Sequence, residues 1–376
     1  MSWRTCRLGD VMTLKRGHDL PEHSRQEGDV PVVSSSGITG RHKEAKATAP
    51  GVVTGRYGTI GEVYFLQEDF WPLNTALYVI DFKGNDPRFV SYFLRNVLKG
   101  YQSEKAAIPG VDRNVLHEIK VHLPSLPEQL RITEILSTYD DLIDNNRRRM
   151  ALLEDSARQL YREWFVRLRF PGHEHTPIVD GVPQGWSMGT VSDFYETSSG
   201  GTPSRKIPEY FTGDIPWVKT QELSNGFITE TSEQITEDAL KNSSAKLFPK
   251  RTVLIALYGA TVGELGITAF TAATNQACCA VLKKDPRGHF AHAFLFFREN
   301  KDVLVSLSAG AAQKNISQQI VRGVPMLMPA NALMSMFTEI VSPVFDQILN
   351  LQLTNQKLRQ ARDLLLPRLM SGELAV

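Results

Sequence analysis

The chain has 376 residues, of which 42% are hydrophobic and 22% charged, so its composition excludes a disordered protein and its length accommodates two domains. The formal net charge is +1, which excludes a strongly basic chain and requires any positive surface to be local. The three cysteines give no disulfide framework, and we identify neither a signal peptide nor an apolar run long enough for a bilayer. We therefore expect a globular, cytoplasmic protein that contacts no membrane.

The first block, residues 1–125, is predicted to be a β-rich module. Short β-prone runs such as 51–55 and 76–82 are separated by glycines, which is typical of a module built from strands and turns. A helix is predicted over 87–98, because apolar side chains recur there at helical spacing.

Residues 126–170 are predicted to form a long amphipathic helix. Ser125 and Glu128 have the spacing of a capping box at its start, and Pro171 is expected to end it. Apolar residues recur mostly at steps of three and four, which predicts the seam of a coiled coil, and the polar Asn146 interrupts this seam. The seam positions are Ile135, Tyr139, Leu142, Leu153 and Leu160.

The second half of the chain has the same organisation. A linker and a second β-rich block occupy 171–329, and a second long helix is predicted over 330–376. Asn355 places a polar residue in its apolar stripe, and Pro367 is expected to end or kink it, because proline removes a backbone hydrogen bond. The seam positions of this helix are Val341, Val344, Ile348, Leu351, Leu358 and Leu365.

An internal repeat relates the two halves. Residues of the first helix match those of the second at one constant spacing, and the β-rich blocks match at a similar spacing. We therefore predict an α+β fold with two β-rich modules separated by two long antiparallel helices, which form a coiled coil with pseudo-two-fold symmetry. Such a chain suits a ligand with approximate two-fold symmetry, of which duplex DNA is the commonest. Matched pairs include Ile135 with Ile340, Asp141 with Asp346, Asn74 with Asn275 and Asn114 with Asn315.

Short non-catalytic phrases recur in a fixed order along the chain. They are Leu123-Pro124-Ser125-Leu126-Pro127-Glu128-Gln129, Gly200-Gly201-Thr202-Pro203-Ser204, Ile215-Pro216-Trp217-Val218-Lys219, Gly259-Ala260-Thr261-Val262-Gly263 and Gln313-Lys314-Asn315-Ile316-Ser317. In these phrases the sequence resembles the specificity subunit of type I restriction–modification systems. The resemblance implies that 1–125 and 171–329 are target-recognition domains, each reading half of a split, asymmetric DNA sequence. Because the first block lacks the Gly-Gly-Thr-Pro phrase, the two domains should read different sequences.

The resemblance also implies the partners of the chain. They are double-stranded DNA, two methyltransferase subunits docked on the helices, and restriction/translocase subunits. The methyltransferase subunits would use S-adenosylmethionine to methylate adenine N6, and the restriction subunits would use ATP and Mg. This chain itself would bind no cofactor and no metal and would be non-catalytic. In agreement, the sequence contains no Asn/Asp-Pro-Pro-Tyr/Phe methyltransferase motif, no Walker motif and no His-Glu-x-x-His zinc site.

Polar and basic side chains near the glycine turns are the candidate DNA-binding residues. Serine, arginine and lysine can bond phosphate oxygens and base edges, and asparagine or glutamine can read adenine. Taken singly, each could instead be a solvated surface group or a turn cap. The candidates are Ser35, Ser36, Arg41, Lys43, Arg56, Tyr57, Asn74, Thr202, Ser204, Arg205, Lys206, Lys219, Tyr258, Asn275, Gln276, Lys314 and Asn315.

Three further motifs allow competing interpretations. Residues 55–61 resemble a phosphate loop but lack its terminal Lys-Ser/Thr, so either a turn close to DNA or a plain β-turn is favoured. The alternate histidines of 173–175 could bind a metal, but no further ligand at a suitable spacing supports a site. The three arginines of 147–149 form either a solvated helix face or a docking surface.

Two other functions remain as alternatives. The near-neutral charge favours a coiled-coil adaptor that binds only proteins, and salt-sensitive, sequence-dependent DNA binding would exclude it. An enzyme that modifies or cleaves DNA by itself is disfavoured by the missing motifs, and activity of the purified chain without a partner would support it.

Overall fold

The computed structural model describes residues 3–56, 61–104, 111–307 and 315–376, the side chains of 100–104 excepted. The chain divides into two compact units. Unit 1 comprises Met1–Asn145 and Asn355–Val376, and unit 2 comprises Asn146–Thr354. Both dividing points fall inside long helices, so each of these helices contributes to both units.

Unit 1 begins with a β-rich module. Its strands are β1 (Arg4–Arg7), β2 (Thr13–Arg16), β3 (Val30–Ser34), β4 (Gly37–His42), β5 (Gly51–Gly55), β6 (Val63–Leu66), β7 (Trp71–Pro72), β8 (Ala76–Asp81) and β9 (Lys120–Leu123). Its helices are α1 (Pro87–Glu104) and α2 (Arg113–His117). One sheet has the order β2-β8-β5-β6, another has the order β4-β3-β7, and β1 pairs with β9. The apolar face of α1, with Phe89 and Leu94, shares a core with Val52 and Leu77 of the first sheet.

The first long helix, α3, is Leu126–Tyr161, and a π-helical turn over Arg162–Val166 follows it. One of the two bonds of the predicted capping box is present, because the Ser125 backbone N donates to Glu128 Oε2 at 3.0 Å. The Ser125 hydroxyl donates to the same carboxylate oxygen at 2.7 Å. The predicted end at Pro171 is wrong, since the π turn interrupts the α-helical hydrogen bonding well before the proline.

Unit 2 contains the second β-rich module. Its strands are β10 (Ile178–Val179), β11 (Val182–Pro183), β12 (Ser187–Thr190), β13 (Tyr195–Ser199), β14 (Ile215–Val218), β15 (Gly226–Ile228), β16 (Gln234–Ile235), β17 (Leu247–Phe248), β18 (Val253–Ala256), β19 (Leu265–Thr268), β20 (Ala272–Thr274), β21 (Cys278–Lys283) and β22 (Pro325–Met328). Its shorter helices are α4 (Val191–Phe194), α5 (Glu237–Lys241), α6 (Phe290–Glu299), α7 (Lys301–Ser306) and α8 (Gln318–Gly323). The second long helix, α9, is Asn331–Met370.

The two units repeat one topology. The order β2-β8-β5-β6 of unit 1 recurs in unit 2 as β13-β21-β18-β19, which β15 extends by a strand. The order β4-β3-β7 recurs as β16-β14-β20, which β17 extends. In each unit the pair β3/β7 or β14/β20 is parallel, and β1/β9 has its counterpart in β12/β22. The predicted α+β class, with two β-rich modules and an internal repeat, is confirmed.

Within unit 1 the long helices pack antiparallel. The Asn355 side-chain amide donates to the Ile143 carbonyl oxygen at 3.3 Å, and Arg362 pairs with Asp140. Residue numbers therefore rise along α3 as they fall along α9. Asn355 is fully buried, which is the expected position for a polar residue that fixes the register of two helices.

The predicted seam is wrong at two positions of α3. Ile135 and Leu142 are 37% and 45% exposed, whereas Leu136 and Ile143 are buried. Apolar residues stand side by side at both places, so the spacing in the sequence does not decide which one of each pair faces the partner helix. The positions of the second seam that are buried are Val341, Ile348 and Leu351. The seam positions that are half-buried are Tyr139, Leu153, Leu160, Val344, Leu358 and Leu365.

Helix α9 continues through Pro367 to Met370, so of the two expected effects of this proline, an end or a kink, the end is wrong. By length and composition alone, α9 is also apolar enough to cross a membrane, which corrects the statement that no run is long enough. Its buried residues Phe337, Val341 and Phe345 belong to the core of unit 2.

In each unit an ion pair to a matched aspartate joins the β-rich module to a long helix. Arg88 Nη2 lies 2.5 Å from Asp141 Oδ1 in unit 1, and Arg251 pairs with Asp346 in unit 2. The two aspartates occupy matched positions of the repeat, but the arginines come from different elements. The same connection is therefore made with different parts of each module.

The Asp140 carboxylate makes stronger polar contacts in unit 1, and removing this carboxylate should destabilise the fold. The Tyr92 hydroxyl donates to Asp140 Oδ2 at 2.5 Å, and Arg362 binds the other carboxylate oxygen. We expect Asp140→Ala to lower the free energy of unfolding by about 2–4 kcal/mol, because it leaves a half-buried cation and a buried hydroxyl without this acceptor. Urea unfolding of the purified chain measures this loss. Asp141→Ala is the matched control, since Asp141 itself is exposed and its pair with Arg88 should contribute at most about 1 kcal/mol. Equal losses in the two variants would contradict the assignment.

Candidate nucleic-acid interface

A glycine turn follows β13 in unit 2 and packs against the end of β20. A Cβ atom added to Gly200 would lie 2.0 Å from the Thr274 carbonyl oxygen, so only glycine fits there. The Gly201 backbone N donates to the same carbonyl at 2.9 Å, and the Trp217 indole Nε1 donates to the Gly201 oxygen at 3.1 Å. The backbone that leads to Thr202 is therefore held in one position.

Candidate residues follow the ends of the parallel strands β14 and β20, which meet at one edge of their sheet. Lys219 follows β14, while Asn275 and Gln276 follow β20. The Asn275 backbone N donates to the Val218 carbonyl at 3.0 Å, and the Thr202 hydroxyl donates to the Gln276 side-chain oxygen. The structure thus brings together candidates from three separate segments of the sequence.

Tyr258 and Asn315 join the same edge. They form an isolated β-bridge with each other, and the Tyr258 hydroxyl is hydrogen-bonded to Gln276. Burial raises the pKa of Tyr258, so its hydroxyl keeps its proton at neutral pH. The Asn275 side-chain oxygen accepts from the Ala277 backbone N at 3.1 Å, so this residue caps the turn.

The basic side chains of this edge share one acidic partner. Arg205 Nη1 lies 2.6 Å from Glu233 Oε2, and Lys219 Nζ lies 2.6 Å from Glu233 Oε1. The hydrogen bonds from Arg205 and then Lys219 hold the pKa of Glu233 below its ordinary value, so the carboxylate is ionised at neutral pH. Part of the positive charge that was predicted to face DNA is therefore neutralised within the unit. The other candidates on the Arg205 loop, both exposed, are Ser204 and Lys206.

Unit 1 has the same turn with different side chains. A Cβ atom added to Gly17 would lie 2.2 Å from the Leu73 carbonyl oxygen, as at the equivalent glycine of unit 2. The Asn74 side-chain amide donates to Asp19, and Arg16 Nε donates to the Asn74 carbonyl oxygen at 3.3 Å. This aspartate–asparagine pair and the threonine–glutamine pair of unit 2 both link the glycine turn to the end of a strand. Asn74 is the repeat equivalent of Asn275, so Gln276 lies one position further along the chain.

Sequence reasoning missed part of the unit 1 edge. His18 Nε2 lies 3.2 Å from the Tyr78 hydroxyl oxygen, and burial lowers the pKa of this histidine. Lys46, which the sequence groups with Arg41 and Lys43 as a basic residue, was not missed, and its Nζ lies 5.0 Å from the centre of the Trp71 ring. The signal that could have located this edge is Gly17, a glycine that directly follows the strand of the repeat equivalent to β13.

The remaining unit 1 candidates lie in two places. Ser35 and Ser36 form the turn after β3, and because β3 is parallel to β7, they lie at the same edge as Asn74. Arg41 is on strand β4 and not in a loop, and Lys43 follows that strand. The antiparallel pairing of β3 and β4 places these two residues at the opposite end of the hairpin.

The other expectations concern single residues and metals. Arg56 is half-buried at the end of β5, and Tyr57 and Lys314 lie outside the described residues. In the part of the chain that the structure describes, no group of three His, Cys, Asp or Glu residues could hold a metal ion.

Comparison with known proteins identifies the family. Residues 1–155 and 183–357 match the family described as type I restriction modification DNA specificity domain. The chain belongs to this family. It is thus a specificity subunit of a type I restriction–modification system, a class of protein that recognises DNA.

Individual specificity subunits are similar along most of the chain. The MjaIX specificity subunit of Methanocaldococcus jannaschii is 28% identical over 297 residues, which cover 76% of this chain and 67% of the relative. The HindI specificity subunit of Haemophilus influenzae is 23% identical, covering 73% of each. The fold is similar to the crystal structure of an S subunit from M. genitalium, with a TM-score of 0.63, 14% identity and coverage of 98% and 96%.

Proposed function

We propose that this specificity subunit recognises a bipartite, asymmetric DNA sequence, with unit 1 reading one half-site and unit 2 the other. The observation that carries this proposal is the duplicated topology, with candidate residues at the same sheet edge in both units. A duplicated module explains why there would be two half-sites. A protein-only adaptor is disfavoured, because the family is defined by DNA specificity.

Different side chains at the two edges support different half-sites. Asp19 of unit 1 corresponds to Thr202 of unit 2, and Gln276 of unit 2 corresponds to Thr75 of unit 1, while Asn74 and Asn275 match. A carboxylate accepts from cytosine N4, while an amide pairs with adenine N6 and N7. The two modules therefore offer different hydrogen-bonding groups to the base edges.

The long helices carry exposed apolar residues at matched positions, which supports docking of two methyltransferase subunits. Ile135 of α3 and Ile340 of α9 are 37% and 49% exposed, and they are equivalents in the repeat. An apolar residue that faces water at the same place in both repeats fits two copies of one partner. In the assembled, cytoplasmic complex, the methyltransferase subunits would bind S-adenosylmethionine, and restriction/translocase subunits would bind ATP and Mg.

The helices also supply a spacer between the half-sites. At about 1.5 Å per residue, the 36 residues of α3 span about 54 Å and the 40 residues of α9 about 60 Å. A DNA turn measures about 34 Å, so helices of this length match a separation of more than one turn. We propose that their length sets the number of unread base pairs.

The test is methylome sequencing of a host that expresses this chain with its neighbouring methyltransferase. We expect a split motif with N6-methyladenine in each half, which disappears when this gene alone is deleted. Immunoblots confirm that both subunits are present in the comparison strains. An unchanged methylome would contradict the proposal and favour the protein-only adaptor.

A further inference from the structure

Arg205 follows a rigid glycine turn, and its guanidinium lies against two aromatic rings. The turn is fixed at Gly200 and Gly201, as described above. The Arg205 guanidinium carbon lies 4.0 Å from the centre of the Phe211 ring and 5.3 Å from that of Trp217. The two rings restrain the guanidinium, and its exposed part is available to an acceptor.

The position of Glu233 is also fixed, by hydrogen bonds to its backbone carbonyl and by ion pairs to its carboxylate. Its carbonyl oxygen accepts from the Trp217 backbone N at 3.1 Å and from the Thr231 hydroxyl at 2.8 Å. Its two carboxylate oxygens each bind a different cation, Arg205 and Lys219. The carboxylate is therefore positioned independently of any ligand.

The two cations differ in their access to solvent. The side chain of Arg205 is 55% exposed, whereas those of Glu233 and Lys219 are 26% and 17% exposed. A phosphate or base edge that approaches from solvent can reach Arg205 but is screened from Lys219. Lys219 is therefore able to keep Glu233 in place while Arg205 exchanges its carboxylate partner for DNA.

We propose that Glu233 is a specificity-determining residue that acts as an internal competitor of DNA phosphate for Arg205. On non-specific DNA the arginine stays paired with Glu233, and little affinity is gained. On the correct half-site, contacts from the same edge bring an acceptor close enough to replace the carboxylate. This inference rests on the proposed function, because it requires that DNA binds this edge of unit 2.

The test uses the complex of this chain with its methyltransferase and two short duplexes, one with both half-sites and one with neither. For Glu233→Gln we expect roughly three- to fivefold tighter binding of the non-specific duplex, the range of a released surface ion pair. The salt dependence of that binding should steepen by about one unit, because one further phosphate contact forms. Affinity for the specific duplex should rise less, so the ratio of specific to non-specific affinity falls.

Glu237→Gln is the matched control, since it removes the same charge from the nearby helix α5. Glu237 pairs with Lys241 at 3.2 Å on an exposed surface, whereas Arg205 pairs with Glu233. If the two glutamine variants had equal effects on DNA affinity, the loss of one negative charge would explain both effects, and the proposal would be overturned. A changed base preference in Glu233→Gln would also overturn it, because Glu233 would then read a base directly.

Arg205→Gln removes the cation of the same ion pair instead of the carboxylate. It provides an independent test if the Glu233→Gln variant is unstable. We expect it to weaken specific binding about tenfold and leave non-specific binding nearly unchanged, since the arginine is occupied there. In the double variant the gain caused by Glu233→Gln should vanish. A gain that persists without Arg205 would contradict the inference. If the wild-type complex does not distinguish the two duplexes, it is the proposed function that fails.

Discussion

Three heptads inserted into each long helix are expected to lengthen the unread spacer of the target by about nine base pairs. Twenty-one residues add about 31 Å of helix, close to one 34 Å turn of DNA, so both half-sites stay on the same side of the duplex. Suitable insertion points are the junctions 145/146 and 354/355, where the chain passes between the two units. Methylation at the original sites should disappear, and the same two half-sites should be methylated at the longer spacing.

Two controls accompany the insertion. The same heptads placed in α3 alone should abolish methylation, because the helices then differ in length. A flexible insertion of equal length at Gly181, a turn glycine with no atom near its Cβ position, should leave the spacer unchanged. An unchanged spacer in the double insertion, with methylation retained, would contradict the role of helix length.

The second large effect is expected at the glycines that precede the two recognition edges. Gly200→Ala places a Cβ atom 2.0 Å from the Thr274 carbonyl oxygen, and Gly17→Ala places one 2.2 Å from the Leu73 carbonyl oxygen. Neither strand-end backbone can move away from the added Cβ atom without displacing the recognition edge. Each substitution should lower affinity for the specific duplex at least about 100-fold, since a single mismatched base pair already costs about 1–3 kcal/mol.

The effect should be confined to one half-site in each variant. Binding by the Gly200→Ala complex should no longer depend on the half-site read by unit 2, but should still depend on the other. Gly17→Ala should show the reverse. Gly226→Ala is the matched control, because no atom lies within 4 Å of its added Cβ. If Gly200→Ala still discriminates both half-sites, the assignment of this edge is wrong.

The repeat was predictable because its matched residues determine the conformation of the backbone. Glycine turns and helical spacing of apolar residues recur at matched places in both halves, so the module–helix order and the α+β class follow from the sequence. The seam was predictable only to within a residue, since Ile135 and Leu136 are both apolar and the choice between them depends on the partner helix.

The recognition edges were harder to predict, because their residues come from separate segments of the chain. Thr202 and Gln276 were both candidates, but their hydrogen bond depends on the packing of the glycine turn after β13 against the end of β20. The pairing of Arg205 with Glu233 could not be foreseen, since no motif joins them. His18 and Asp19 were missed because the unit 1 turn keeps only its glycine.

The order in which the chain is synthesised also has a consequence. Unit 1 needs its last segment: Leu366, Leu369 and Met370 are buried in the same core as Leu8 and Phe89. Unit 2 is one continuous stretch, Asn146–Thr354, and can fold while the ribosome is still at work. The module that emerges first therefore waits on the order of ten seconds or more for its closing helix. During that interval an unpaired apolar surface of α3 is available to chaperones or to an incoming partner subunit. A chain released early would keep its second recognition module whole and leave its first one open.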